Sequence, residues 1–280
     1  MLYLLVGDDF EQEPSPENGH ELVVTRGTAF RETINEDAYG DGWLFEVEVA
    51  DTSALEELLD ADAYAEANRL PYGLAAYAAD RSLSDLPRGQ ASVMVIPGFG
   101  AGDWATGILR GRLSRLGHHV YGWGLGINRG QLGRDAERLL PRLQAIVARR
   151  DQPVTLIGWS LGGVIARQVA RQQPGLVNDI IALGTPLVGG PKFTFTAPWY
   201  ARKGMDLDAM ARKVDDFESS HALPCPLLSV FTPHDGMVHP GASHDPHHPE
   251  VTYREVNASH LGLCLAPEVI EIIALRLARA

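Results

Sequence analysis

Residues 153–172, PVTLIGWSLGGVIARQVARQ, decide the fold. Val154, Thr155, Leu156 and Ile157 are β-branched or aliphatic in a row, which suits a strand buried on both faces of a parallel sheet. After the glycine-framed Gly158-Trp159-Ser160-Leu161-Gly162, the residues Leu161, Val164, Ile165 and Val169 recur at helical spacing among Arg167, Gln168, Arg171 and Gln172. Strand, sharp turn and helix form the context that a G-x-S-x-G motif requires. A serine on so tight a turn occupies a strained backbone region, and a side chain at Gly158 or Gly162 would collide with the neighbouring strand or helix. The hydroxyl of Ser160 is then pushed out at the carboxyl end of the sheet. The amino end of the following helix lies beneath it and favours a developing negative charge. The same stretch can also be read as a glycine-rich turn with Ser160 as a helix cap, so the choice rests on partner residues elsewhere.

Working outward, strands and helices alternate from Ala91 onward. Strands are expected at 92–96, 119–121, 154–157, 180–183, 227–231 and 251–256, and helices at 104–116, 132–149 and 267–280. Such alternation predicts a mostly parallel sheet flanked by helices on both faces. In an open sheet of this kind the ligand sits at the carboxyl ends of the strands. Asp235 follows the apolar run Leu227–Phe231, and His260 lies after the final strand and before the final helix. The order Ser160, Asp235, His260 is the one in which later loops supply an acid and a base to such a serine.

With these pieces in place, residues 91–280 resemble the α/β-hydrolases of the lipase and esterase type. The matching stretches are PGFGAGD at 97–103, GWSLGG at 158–163, LGTPLVGG at 183–190, TPHDGMV at 232–238 and SHLGL at 259–263. The resemblance implies an α/β-hydrolase fold and a carboxylic ester hydrolase acting through an acyl-enzyme. Ser160 would be the nucleophile, His260 the base and Asp235 its orienting acid. The oxyanion would be held by the backbone N–H of Leu161 and that of Phe99. The second assignment is ambiguous by one residue, because Pro97-Gly98 replaces the family's frequent His-Gly pair. An acyltransferase with the same triad, or a binding or scaffold protein on an inactive hydrolase fold, are the rival readings.

Between Gly189 and Pro224 lies an insertion expected to cap the site, so that Trp159, Phe193, Phe195 and Trp199 would bind an apolar, lipid-like ester. Packing of these aromatics against the sheet is the alternative. Asp206, Asp208, Asp215 and Asp216 read as a solvated helix face. His234, His239, His244, His247 and His248 crowd one segment, PHDGMVHPGASHDPHHP, whose irregular spacing favours a mobile surface loop over a metal site. No metal or other cofactor is expected.

The first 80 residues differ in character. Trp43 to Val49 alternates as a half-buried, antiparallel-type strand, Ser53 to Ala63 carries a capping box and an apolar helical stripe, and Tyr72 to Ala79 could return as a strand. This reads as a small α+β region, joined by a polar linker at 81–90. It loosely resembles the ferredoxin-like YCII-related modules, which implies that it could pair chains as a homodimer; no catalysis is assigned to it. The formal charge of −12 argues against nucleic acid or anionic membranes as partners. No run approaches a membrane span, and the apolar start at Met1–Val6 lacks a basic flank, so a cytoplasmic protein with Cys225 and Cys264 reduced is expected.

Overall fold

A computed structural model of the chain describes residues 83–279 and the strands β1, Val23–Arg26, and β2, Phe45–Glu48. The chain divides into two compact units, Met1–Asp60 and Ala61–Ala280. In the first, β1 and β2 pair antiparallel, with Val24 opposite Val47 and Arg26 opposite Phe45. Within the alternating run expected at 43–49, the described residues Phe45–Glu48 form an antiparallel strand. The helix expected at 53–63 and the strand expected at 72–79 lie outside the described residues.

The second unit is built on a six-stranded sheet. Its strands are β3 (Ser92–Ile96), β4 (His119–Gly122), β5 (Val154–Trp159), β6 (Val177–Leu183), β7 (Leu227–Phe231) and β8 (Thr252–Glu255). Their order is β4-β3-β5-β6-β7-β8, and every pair is parallel. Parallel strands need crossovers. The helices α1 (Gly107–Arg115), α2 (Leu132–Arg150) and α3 (Leu161–Gln172) supply them, and α6 (Pro267–Leu277) closes the chain. Between β6 and β7 come the shorter α4 (Ala197–Arg202) and α5 (Leu207–Ser220).

Alternate side chains of the central strands feed two cores, one on each face. Val93, Val95, Ile157 and Val230 pack with Leu109 and Leu113 of α1 and with Ile270 and Ile273 of α6. Met94, Ile96, Leu156 and Ile180 pack with Leu139 and Leu143 of α2 and with Ile165 and Val169 of α3. Each fully buried aliphatic side chain contributes about 1.5–3 kcal/mol. Because both faces are covered, β3 and β5 are buried at every position, which is why they read as unbroken apolar runs.

The helix expected at 104–116 forms as α1 over 107–115, preceded by a 3₁₀ turn at Asp103–Thr106. Asp103 anchors that turn. Its carboxylate accepts from the N–H of Trp123 at 2.9 Å and of Gly124 at 3.0 Å, and its carbonyl accepts from Arg110 at 2.7 Å, which ties this turn to the loop after β4.

His118, between α1 and β4, is buried, and neither ring nitrogen has a hydrogen-bond partner among the described residues. Burial, and then the neighbouring His119, lower its pKa from the ordinary 6.5. The unfolded chain therefore takes up this proton first, so His118 supports folding above about pH 6.5 and that support is lost as the pH falls. His118→Leu is expected to flatten the decline in melting temperature between about pH 6.5 and 5. Parallel melting curves for variant and wild type would show that the burial of His118 has no such effect.

Candidate active site

Ser160 sits between the last residue of β5 and the first of α3 with φ 55° and ψ −124°. Among the described residues only Asp151 shares a positive φ without being glycine. Such a conformation costs about 1–3 kcal/mol and persists only where its surroundings dictate it. Here the Ser160 N–H donates to the carbonyl of Leu183 at 2.8 Å, and its carbonyl accepts from Gly163 N–H at 3.0 Å and from Thr185 Oγ1 at 2.9 Å. The flanking glycines are steric necessities. A Cβ on Gly158 would stand 2.3 Å from the Gly163 Cα, and one on Gly162 would stand 2.2 Å from the Ile96 carbonyl oxygen. Thr185 belongs to the LGTPLVGG stretch, but its hold on the serine backbone 25 residues away has no local sequence signal.

Asp235, in the loop after β7, is fixed from behind by the N–H groups of Met237 at 2.9 Å and Val238 at 2.7 Å, both on Oδ1. Its Oδ2 faces His260 Nδ1 at 2.7 Å, and the two side chains are only 2% and 1% exposed. With Nδ1–H given to the carboxylate, the imidazole keeps Nε2 as its basic nitrogen. Trp159 Nε1–H donates to the His260 carbonyl at 3.1 Å.

Leu183 and Gly184, at the end of β6, link these groups. Leu183 receives the Ser160 N–H, while a Cβ on Gly184 would lie 3.0 Å from His260 Nδ1 and 3.1 Å from Asp235 Oδ2. Ser160, Asp235 and His260 thus follow the carboxyl ends of β5, β7 and β8, and the Leu183–Gly184 backbone at the end of β6 touches each of them. The loop after β3 closes the group. A Cβ on Gly98 would stand 3.1 Å from the Ser160 Cβ, and one on Gly130 would meet both the Phe99 ring, at 3.4 Å, and the Leu161 side chain, at 3.6 Å. Leu161 opens α3, so its N–H belongs to the first turn, which has no acceptor within the helix.

Among the aromatic residues expected at a substrate pocket, Trp159 differs from the others in its burial. It is 8% exposed, belongs to the core and orients His260. Phe193, Phe195 and Trp199 are between 39% and 44% exposed, so they do not pack against the sheet. The start of the insertion is fastened to the Asp235 loop: Thr194 bridges Val238, Phe195 N–H donates to the Met237 carbonyl at 2.8 Å, and His239 N–H donates to the Phe193 carbonyl at 2.9 Å.

The acidic and histidine-rich stretches have other roles. Asp206 caps α5 through the Ala209 N–H at 2.9 Å, and Asp208 pairs with Lys192 at 2.6 Å. The histidines do not converge. His244 stacks on Tyr253, His239 accepts from the Gly241 N–H, and His248 Nδ1 meets Asp245 at 2.9 Å. His234, His239 and His244 are exposed, as on a surface loop, while Ala242, Ser243 and Asp245 are buried. Glu218, Asp245 and His248 come close enough to hold a metal ion, but guanidinium groups already neutralise the carboxylates. Arg167 binds Glu218 and, at 2.8 Å, Asp245, and Arg171 binds Glu218 as well. Burial pushes the Cys225 thiol up to about 12 and raises that of Cys264 as well, which disfavours the thiolate at both.

Comparison with known proteins separates the two ends of the chain. Residues 26–69 match the glycine cleavage H-protein family. Over 54 residues the chain is 69% identical to the glycine cleavage system H protein of Stenotrophomonas maltophilia strain R551-3, covering 19% of this chain and 41% of that protein. It is 63% identical over 35 residues to that of Marinobacter nauticus, covering 12% and 27%. The chain therefore spans about two fifths or less of the length of these relatives, and the match points away from the YCII-related modules. Solved structures match the remainder. An esterase of Pyrococcus furiosus superposes with a TM-score of 0.50 at 15% identity, covering 68% of this chain and 83% of its own. One of two metagenome-derived lipolytic enzymes gives 0.51 at 15%, covering 69% and 94%. An N-acyl homoserine lactone degrading enzyme gives 0.50 at 15%, again covering 69% and 94%. With its parallel sheet, flanking helices and these neighbours, the chain from β3 onward has the α/β-hydrolase fold.

Proposed function

We propose that this chain is a serine carboxylic ester hydrolase of the esterase or lipase kind, working through an acyl-enzyme. The observation that supports the reading is the buried Asp235–His260 pair, together with a serine held at positive φ on the turn between β5 and α3. In the proposed reaction His260 Nε2 takes the Ser160 proton as Oγ attacks the ester carbonyl, and then returns it to the departing alcohol. Asp235 holds the tautomer and stabilises the imidazolium. The negative oxygen of the tetrahedral intermediate is received by the N–H groups of Leu161 and Phe99. Water, activated by the same histidine, then releases the acid and restores Ser160. Acyl transfer to an alcohol would share every step except the last.

The substrate reading rests on the insertion at 189–224. Phe193 and Phe195 are exposed next to the Asp235 loop, and Trp199 is exposed further along the same insertion, which suits an apolar acyl group better than a sugar or peptide. Hydrolysis of p-nitrophenyl acetate, butyrate and hexanoate tests this directly. Each methylene buried against these rings is worth about 0.8 kcal/mol, so kcat/KM is expected to rise by up to about fourfold per methylene along the series. A flat or falling series would reject the apolar acyl pocket, and no turnover of any ester would reject the esterase reading.

A further inference from the structure

Asn128 lies in the loop between β4 and α2, is fully buried, and takes no part in the reaction as written above. Its hydrogen bonds are directed almost wholly at the loop that faces Ser160. Nδ2 donates to the Pro97 carbonyl at 2.8 Å, the Asn128 carbonyl accepts from the Gly100 N–H at 2.8 Å, and the Asn128 N–H donates to the Ala101 carbonyl at 2.8 Å. Oδ1 accepts from the Gly130 N–H at 3.0 Å, which fixes the amide so that its NH₂ points to Pro97. One residue therefore grips the loop on both sides of the Gly98–Phe99 peptide.

Two consequences follow for the donor left ambiguous by the sequence. Gly100 gives its N–H to Asn128, so it has none to give to an oxyanion. Proline at 97 has no N–H. The gripped segment thus presents the Gly98–Phe99 peptide, and the close approach of Gly98 to the Ser160 Cβ sets that peptide beside the nucleophile. A donor works in catalysis only when it is aimed before charge develops, and a peptide flanked by glycines has no side-chain packing to aim it.

We propose that Asn128 is a positioning residue that holds the Pro97–Ala101 loop so that the Phe99 N–H points at the oxyanion. This rests on the esterase reading. The side chain acts on the transition state through Phe99 and has little part in ground-state binding.

The test compares Asn128→Ala and Asn128→Asp with wild type on a p-nitrophenyl ester, with a trifluoromethyl ketone as tetrahedral-intermediate analogue. Losing the aim of one oxyanion donor predicts a fall in kcat of about 10²-fold for Asn128→Ala, with KM changed less than about threefold and a parallel loss of ketone affinity. Asn128→Asp keeps the acceptor for Gly130 but turns a carboxylate on the Pro97 carbonyl. Its kcat should be equally low at pH 8 and should recover, as a ratio to wild type, as acidification gives the carboxyl an O–H to donate. An unchanged kcat in a folded Asn128→Ala would overturn the proposal, as would a rise in KM alone. Loss of cooperative melting in both variants would overturn it in favour of a purely structural role. Absence of turnover in wild type would instead sink the esterase reading, so the two failures are distinct.

Discussion

Ser160→Ala is expected to lower kcat for ester hydrolysis by about 10⁶-fold while leaving the melting temperature almost unchanged. The catalytic loss is large because the reading gives the whole covalent step to this oxygen, and Cys225 and Cys264 are held as neutral thiols. The structural effect is small because the backbone hydrogen bonds that fix residue 160, to Leu183, Gly163 and Thr185, do not involve its side chain. Asp235→Asn should cost about 10⁴-fold through the wrong imidazole tautomer. Non-additivity provides a sharper check. The proposed mechanism makes Ser160 and His260 one unit, so the double variant Ser160→Ala, His260→Ala should be no slower than either single variant. Independent, multiplying losses would show that His260 serves something other than Ser160.

The largest loss of stability is expected at a residue remote from the chemistry. Arg167 of α3 is 1% exposed, yet its guanidinium binds Glu218 on α5, Asp245 in the loop before β8, and the Leu187 carbonyl at 2.7 Å. Arg167→Ala would leave the buried Asp245 with His248 but no guanidinium, and Glu218 with only Arg171, and breaking a buried pair from one side costs about 3–5 kcal/mol. For a domain of this size that is a drop in melting temperature of roughly 10 °C. Equilibrium unfolding of Arg167→Ala and Arg167→Leu separates lost packing from lost charge, because leucine restores apolar volume and still strands Asp245. The account predicts that both variants are strongly destabilised. A leucine variant as stable as wild type would show that Arg167 acts only as a space-filling side chain.

These two predictions also mark what could be read from the sequence and what could not. The serine turn was legible because its sequence signals are local: the β-branched and aliphatic run 154–157 of β5, two glycines that would otherwise meet backbone, and the apolar stripe of α3. The strands were legible because a parallel sheet covered on both faces demands apolar runs, although β6 begins at Val177, three residues before the expected start at Ile180. Asp235 and His260 were legible through their places after strands. Long-range polar partnerships were not. Arg167 bonds residues 51 and 78 positions away, and Asn128 grips Pro97 across 31; no periodicity announces such pairs. Arg167 itself sat among polar residues of an amphipathic helix and gave no sign of burial. In the amino-terminal region an α+β pattern was visible, but many families share it. The H-protein match over 26–69 rests on residue identities, which a pattern of strand and helix does not contain.

The most direct test of the central claim is stoichiometric labelling with a fluorophosphonate, read by intact mass and peptide mapping. A hydroxyl activated by His260, beside donors for a negative oxygen, should take up one equivalent, mapped to Ser160 and absent in Ser160→Ala. Failure of the wild-type protein to label, or label retained in Ser160→Ala, would contradict the account.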